Sequence, residues 1–205
     1  MSGIFYPGKL QASDTVGGCI DIFKNVWPNP EETIQMMELA CSDPESGINW
    51  ERATTSDRGV HQTQRTNYHL GISNAAEQGV STAQNIQNQM YMLLLAAVGP
   101  YVEKYGVTGG LWHEPYSMLR YRGGQEYTSH YDGGTETARS VSAIVYLNDS
   151  YEGGHLEFTN FGVKIKPEPG MLVLFPSNYA YRHIAHPVTS GTKYAIVTWI
   201  RDRQL

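Results

Sequence analysis

The sequence predicts an α+β protein in which helices support a closed double β-sheet of the jelly-roll or cupin type. Up to about Gly106 the apolar residues recur at helical spacing, whereas later apolar runs are short and are separated by Gly, Pro, Asn and Asp. Seven short runs in one half of a chain are typical of a sandwich or a closed barrel. The 205 residues suit one domain. We therefore expect a single domain over 1–205, with 1–106 as mainly helical support and 107–205 as the β-barrel.

Two helices are predicted in the first half. The segment Asn-Pro-Glu-Glu at 29–32 offers an N-cap, a proline at the first helical position and an acidic first turn, so a helix is expected from about Pro30 to Cys41. A second helix begins near Ser81, and Gly99-Pro100 is expected to kink or end it. Its apolar stripe is broad enough for a core-facing support: Val80, Ala83, Ile86, Met90, Leu93, Leu94, Ala97 and Tyr101.

The second half is predicted to hold the strands. Each run is rich in aromatic or β-branched residues and is bounded by turn residues. The predicted strands are Tyr116–Arg122, Glu126–Asp132, Ser140–Leu147, His155–Phe158, Val163–Ile165, Met171–Phe175 and Tyr194–Ile200.

Composition excludes several function classes. A net charge of −5 and the absence of a basic patch argue against nucleic acid as a partner. Cys19 and Cys41 form no disulfide framework, which favours free thiols in a reducing compartment. The first residues resemble no signal peptide, and the most apolar run, Met90–Val98, is too short to span a bilayer. A cytoplasmic, soluble protein with no membrane partner is expected.

The tripeptide His130-Tyr131-Asp132 is a candidate for part of a metal site. In an extended strand, residues i and i+2 point to the same side, so His130 and Asp132 are expected to project together. Two imidazoles and one carboxylate form the facial triad of non-haem Fe(II) oxygenases, which leaves coordination positions open. The third ligand must come from another strand, and the candidates are His155, His183 and His186.

Lys193 opens an otherwise apolar strand. By strand parity Lys193, Ala195, Val197 and Trp199 share one face, and both faces are apolar enough to be buried. A buried ammonium requires an anionic partner. Three partners are open at this point: an Asp or Glu side chain, solvent at the rim of the fold, or the distal carboxylate of a bound dicarboxylate.

The order of these features resembles the Fe(II)- and 2-oxoglutarate-dependent dioxygenases, in particular the prolyl 4-hydroxylase-like family. The similar segments are LRYRGGQEYTSHYDGG (119–134), SAIVYLNDSYEGGHLEF (142–158), PGMLVLFPS (169–177), and His183 followed by Pro-Val at 187–188, GTKY at 191–194 and Trp199. They cover most of 111–201. The resemblance implies a double-stranded β-helix, the fold of that family.

The resemblance also implies roles for individual residues. His183 is preferred over His186 because it lies four residues before Pro187, as the family's histidine does. The implied iron ligands are therefore His130, Asp132 and His183, and Lys193 would bind the remote carboxylate of 2-oxoglutarate. Tyr121 and Tyr146 would line the co-substrate pocket and Trp199 would lie near the metal, with ordinary strand packing as the alternative for the two tyrosines.

The implied activity is hydroxylation of a prolyl residue in a peptide or protein, with Fe(II), 2-oxoglutarate and O2, and with ascorbate as a reductant. A free amino acid or another small molecule is the alternative substrate, and a cupin-like protein that holds a metal without oxidation is a third possibility. The polar segment Thr54–His69 is expected to form a flap over the site, and the alternative is a solvated loop with a strand at its end. Glu136 and Arg139 are expected to face the substrate.

Overall fold

The computed structural model describes residues 8–55, 63–107, 111–134 and 138–202. In these ranges three α-helices occur: α1 (Pro30–Ser42), α2 (Ile72–Glu77) and α3 (Ser81–Tyr105). The strands of the same ranges are β1 (Asp14–Val16), β2 (Ile20–Phe23), β3 (Glu51–Arg52), β4 (Tyr68–Gly71), β5 (Leu111–His113), β6 (Ser117–Arg122), β7 (Tyr127–His130), β8 (Arg139–Tyr146), β9 (Tyr151–Gly153), β10 (Leu156–Phe158), β11 (Val163–Ile165), β12 (Leu172–Pro176), β13 (His183–Ala185) and β14 (Val188–Asp202).

The strands form two sheets. The main sheet has the order β1-β2-β12-β8-β14-β6-β4-β3, with β5 and β9 also paired to β14. The minor sheet has the order β11-β10-β13-β7, and its pairs are antiparallel. This architecture confirms the predicted fold class, a double-stranded β-helix supported by helices.

The long strand β14 separates the two apolar layers. Lys193, Ala195, Val197 and Trp199 line the cavity between the sheets. Tyr194, Ile196 and Ile200 join the cluster that packs against the helices. Alternate residues of one strand point to opposite faces, so the predicted parity of this strand is confirmed.

The helices follow the prediction with one correction. Asn29 is the N-cap of α1, as predicted, although its backbone is left-handed (φ 48°) and its side chain forms no capping hydrogen bond. Pro100 neither ends nor interrupts α3, which continues to Tyr105. A proline leaves the carbonyl four residues earlier without its helical donor. The backbone N–H of Leu10 supplies that donor to the Ala96 carbonyl at 2.9 Å.

Two strand predictions are also corrected. The strand that carries His130 ends at that residue, so Asp132 lies in the bend after β7 and not on the strand. The first half is less purely helical than expected, because β1, β2, β3 and β4 belong to the main sheet. The sequence prediction missed β1, β2 and β3, together with α2, β5, β9 and β13, which are short or lack a clear period. The strand β4 begins at the end of Thr54–His69, where a strand was part of the alternative prediction.

A half-buried ion pair joins α1 to the main sheet. The Arg120 guanidinium donates to the Glu38 carboxylate at 2.9 Å and stacks on the Trp50 ring, 4.2 Å from its centroid. The hydroxyl of Tyr194 donates to the same carboxylate at 2.6 Å. Burial acts to raise the pKa of Glu38, but the bonds from Tyr194 and Arg120 outweigh it and lower that pKa. The pair therefore stabilises the folded protein at neutral pH.

Replacing Glu38 by alanine is expected to lower the free energy of unfolding by about 2 kcal/mol, because it leaves Arg120 and Tyr194 without their acceptor. This is less than the ~3–5 kcal/mol of a fully buried pair, since the Glu38 side chain is 32% exposed. The folded-state pKa lies below the unfolded value of about 4.3, so the difference from wild type should shrink as pH falls through and below that value. Urea unfolding of wild type and Glu38→Ala at neutral and acidic pH measures this difference in unfolding free energy. A difference that is independent of pH would contradict the assigned ion pair.

Candidate active site

Three side chains that were predicted as ligands converge between the two sheets. His130 ends β7 and His183 begins β13, and the two residues are direct partners in the register of these neighbouring strands. The Nε2 atoms of His130 and His183 lie 3.6 Å and 3.8 Å from the two carboxylate oxygens of Asp132. One ligand atom from each of the three residues falls within 4.8 Å of the others. The cross-strand pairing explains how two residues 53 positions apart meet.

Backbone carbonyls fix the orientation of both imidazoles. His130 Nδ1 lies 2.7 Å from the Thr128 carbonyl, and His183 Nδ1 lies 3.0 Å from the Tyr181 carbonyl. A carbonyl only accepts, so each Nδ1 carries a proton and each Nε2 is the ring nitrogen directed toward Asp132. This arrangement is typical of histidines that bind a metal ion.

Asp132 is held by residues that the sequence prediction missed. Its Oδ2 accepts from the Ser142 hydroxyl at 2.7 Å, and that hydroxyl lies 2.8 Å from the hydroxyl of Ser177. The backbone N–H of Gly133 donates to the Ser177 carbonyl at 2.7 Å. A side chain at Gly133 would place its Cβ 2.9 Å from that carbonyl oxygen, so the turn after Asp132 requires glycine. A polar residue on the cavity face of an apolar strand, as at Ser142, was the available signal.

The protonation states suit a cation. Burial, and next the charge of His183, lower the pKa of His130 to about 3, so its imidazole is neutral at physiological pH. Burial opposes ionisation of Asp132, but His183, His130, Ser142 and Trp199 outweigh it and lower the pKa of its carboxyl group. Two imidazoles and one carboxylate are the donor set of a non-haem Fe(II) facial triad. These residues therefore fit a bound Fe(II) ion.

Lys193 lies in the same cavity. The residue is 2% exposed, and its ammonium donates to the carbonyl of Gly154. Burial lowers its pKa to about 7. In the part of the chain that the structure describes, no carboxylate lies within ion-pair distance of this ammonium. Of the three predicted partners, neither an acidic side chain in those ranges nor exposure at the rim applies.

Aromatic rings surround the ammonium. Lys193 Nζ lies 5.0 Å from the ring centroid of Tyr146, 5.5 Å from that of Tyr121 and 6.0 Å from that of Tyr151. Tyr121 and Tyr146 line the cavity. Burial raises the pKa of Tyr121 to about 12, so it stays a neutral hydroxyl. Tyr151 was not predicted, and its buried hydroxyl has no hydrogen-bond partner within the described residues.

The other histidine candidates lie elsewhere. His186 follows β13, and its Nε2 lies 2.6 Å from the carboxylate of Glu157 on the neighbouring strand β10. His155 is half-buried in the same region, and its carbonyl accepts from the backbone N–H of His186. Neither joins the group formed by His130, Asp132 and His183.

Two aromatic side chains border the ligand group. The Tyr127 ring stacks on the His130 ring with centroids 3.4 Å apart. Trp199 lines the cavity beside Asp132, at the end opposite to Lys193 along the strand. Trp199 is covered on its other side by the guanidinium of Arg139, 3.7 Å above the ring centroid.

Arg65 also lines the cavity. Its guanidinium donates to Asn67 at 3.1 Å and to the Thr54 carbonyl at 2.8 Å, and it stacks on Tyr127. The predicted flap Thr54–His69 falls partly outside the described residues, because 56–62 are not among them, and Glu136 is outside as well.

Comparisons with known proteins agree with this geometry. Residues 116–201 match the model of the 2OG-Fe(II) oxygenase superfamily. A probable prolyl 4-hydroxylase 9 of Arabidopsis thaliana is 34% identical over 44% of this chain and 41% of its own length. A putative prolyl 4-hydroxylase of Acanthamoeba polyphaga mimivirus is 31% identical over 44% of this chain and 46% of its own length. The matched part thus spans less than half the length of these relatives.

Solved structures share the fold. A prolyl hydroxylase of Trichoplax adhaerens, in complex with a peptide fragment of the hypoxia inducible factor oxygen degradation domain, aligns with a TM-score of 0.70 at 20% identity, over 91% of this chain and 84% of that one. A prolyl-4-hydroxylase of Pseudomonas putida aligns with a TM-score of 0.63 at 22% identity, over 90% and 92%. In the described residues no helix is long and apolar enough to cross a membrane. The predicted resemblance is therefore supported: residues 116–201 are similar to the 2OG-Fe(II) oxygenase superfamily, and 44% of the chain is similar to prolyl 4-hydroxylases.

Proposed function

We propose that this protein is an Fe(II)- and 2-oxoglutarate-dependent hydroxylase that acts on a prolyl residue of a peptide or protein. One observation carries the proposal: a facial triad and a buried lysine ammonium without a carboxylate partner in the described ranges share one cavity. A protein that only held a metal would gain nothing from this buried cation, whose desolvation is costly. A dicarboxylate that reaches from the metal to Lys193 accounts for both features.

Each residue then has a definite task. His130 and His183 would bind Fe(II) through Nε2 and Asp132 through a carboxylate oxygen, and the open positions would receive 2-oxoglutarate and O2. Lys193 would pair with the distal carboxylate, with Tyr121 and Tyr146 beside it. Together Fe(II) and 2-oxoglutarate would supply an O2-dependent oxidation that yields succinate, CO2 and one hydroxyl group on the substrate.

The apolar wall of the cavity supports the same assignment. Leu119, Ile144 and Val197 line it beside the polar groups. Their side chains keep water away from the metal and strengthen the pairing of Lys193 with an anion, because charges interact more strongly in a low-dielectric site.

A prolyl residue is the favoured target because the curated relatives are named as prolyl hydroxylases. A free amino acid is a second candidate, and Arg65 is the observation that favours it. Within the described ranges its guanidinium lines the cavity without a carboxylate partner, so it could bind the carboxylate of a small substrate. A cytoplasmic location and an ascorbate requirement stay predictions from the sequence.

The direct test is turnover of 2-oxoglutarate by the purified protein. We expect succinate to form slowly without a substrate, only when Fe(II) and O2 are present, and faster when a proline-containing peptide is added. Stimulation by free proline and not by the peptide would favour the second candidate. Absence of succinate under every condition would refute the proposed function.

A further inference from the structure

The ion pair between Arg139 and Glu114 lies next to Asp132, one of the three proposed metal ligands. Arg139, the first residue of β8, donates Nε to one oxygen of the Glu114 carboxylate at 2.8 Å and Nη2 to the other at 2.7 Å. Both side chains are mostly buried, at 19% and 16% exposure. A bidentate Arg–carboxylate pair of this kind is fixed in direction as well as in distance.

Arg139 contacts both Asp132 and Trp199. Arg139 Nη1 donates to the backbone carbonyl of Asp132 at 3.3 Å. The same guanidinium stacks on Trp199 at 3.7 Å, and Trp199 lines the cavity together with Asp132. Arg139 therefore contacts the main chain of Asp132 and a ring of the same cavity wall.

Glu114 is itself anchored to the strand that carries Trp199. Its backbone N–H donates to the Trp199 carbonyl at 2.8 Å, and its carbonyl accepts from the Thr198 hydroxyl at 2.7 Å. The guanidinium of Arg201 lies 3.6 Å from the Glu114 carboxylate as a second cation. Glu114 thus joins the start of β8 to the end of β14.

We infer that Glu114 and Arg139 are positioning residues that hold the Asp132 carboxylate and Trp199 in the geometry that binds the metal. The inference rests on the metal role proposed for Asp132. It also departs from the expectation that Arg139 is free to face the substrate, since its guanidinium hydrogens are directed to Glu114 and to the Asp132 carbonyl. Because Asp132 lies in a bend and not on a strand, its direction depends on such supports.

The test measures metal affinity with Co(II), whose visible absorption reports the ligand geometry without turnover. Glu114→Gln removes the charge of the pair at almost constant volume, and Glu38→Gln is its matched control at the other Arg–Glu pair. We expect Glu114→Gln to weaken Co(II) binding by about ten-fold or more and to shift the absorption bands. Glu38→Gln should lower the stability of the protein while leaving its Co(II) affinity and absorption bands unchanged. Arg139→Gln is expected to weaken Co(II) binding as Glu114→Gln does.

The contrary results are distinct. Co(II) affinity and bands equal to wild type in both Glu114→Gln and Arg139→Gln would overturn the inference. An unchanged Co(II) affinity with a raised KM for the peptide would assign the pair to substrate binding and overturn it as well. If the wild-type protein fails to bind Co(II), both the proposed function and this inference are refuted. If the wild-type protein binds Co(II) and the two variants bind it equally well, only this inference is refuted.

Discussion

Replacing Asp132 by alanine is expected to abolish the Fe(II)-dependent conversion of 2-oxoglutarate to succinate. The change removes the carboxylate ligand of the triad and leaves two neutral imidazoles, which hold a divalent cation weakly. Loss of an outer-shell partner alone costs about 10–100-fold in metal affinity or activity, so loss of the ligand itself should exceed ~100-fold. Succinate formation at saturating 2-oxoglutarate measures the effect.

The control for Asp132→Ala is Asp14→Ala, which removes an exposed carboxylate from the edge strand β1. It should keep wild-type turnover. Thermal unfolding of both variants checks that each is still folded. Unchanged succinate formation by Asp132→Ala would refute the assignment of the triad.

Replacing Lys193 by methionine is expected to raise the KM for 2-oxoglutarate by at least about 30-fold, because removal of one partner of a buried charge pair costs ~2 kcal/mol or more. Methionine fills a similar volume without a charge. Co(II) binding should be unaffected, since Lys193 does not belong to the metal-binding group. Equal losses of metal and 2-oxoglutarate binding would show that the lysine is structural.

The same variant should be more stable than wild type when no ligand is present. Wild type buries an ammonium that lacks a carboxylate partner in the described ranges, whereas the variant buries an apolar side chain. A gain in unfolding free energy together with a loss of co-substrate affinity is the signature of a residue kept for binding. Calorimetry of the two unliganded proteins measures the difference.

The affinity for 2-oxoglutarate should also depend on pH through Lys193. Burial lowers its pKa to about 7 in the unliganded protein, so the charged form that binds a carboxylate dominates below that value and is lost above it. The KM for 2-oxoglutarate should therefore rise as pH increases from 7 to about 9, by at most tenfold per unit. Lys193→Met should lack this slope, and a slope of equal size in the variant would assign the titration to another group.

Much of the site could be predicted because its parts keep a regular strand period. Lys193 and Trp199 share one parity on β14, and the structure places both on the cavity face. The preference for His183 over His186 came from a family resemblance, and the structure supports it by pairing His183 with His130 across neighbouring strands.

The remaining contacts depend on tertiary structure. Ser142 contacts Asp132, and Glu114 contacts Arg139, only because β8 and the connection after β5 come together in the tertiary structure. Nothing in the local sequence marks Glu114, since an acidic residue between two strands reads as a solvated turn. Continuation of α3 past Pro100 likewise depends on Leu10, 90 residues away in the chain.

The most direct test of the proposed function is mass spectrometry of a proline-containing peptide after incubation with the protein, Fe(II), 2-oxoglutarate and O2, with succinate counted in the same reaction. We expect an added oxygen atom on a prolyl residue and, above the slow formation without a substrate, one succinate for each peptide hydroxylated. Succinate formed without an added oxygen on proline would contradict the proposed prolyl substrate. Peptide oxidation without succinate would contradict the proposed role of 2-oxoglutarate.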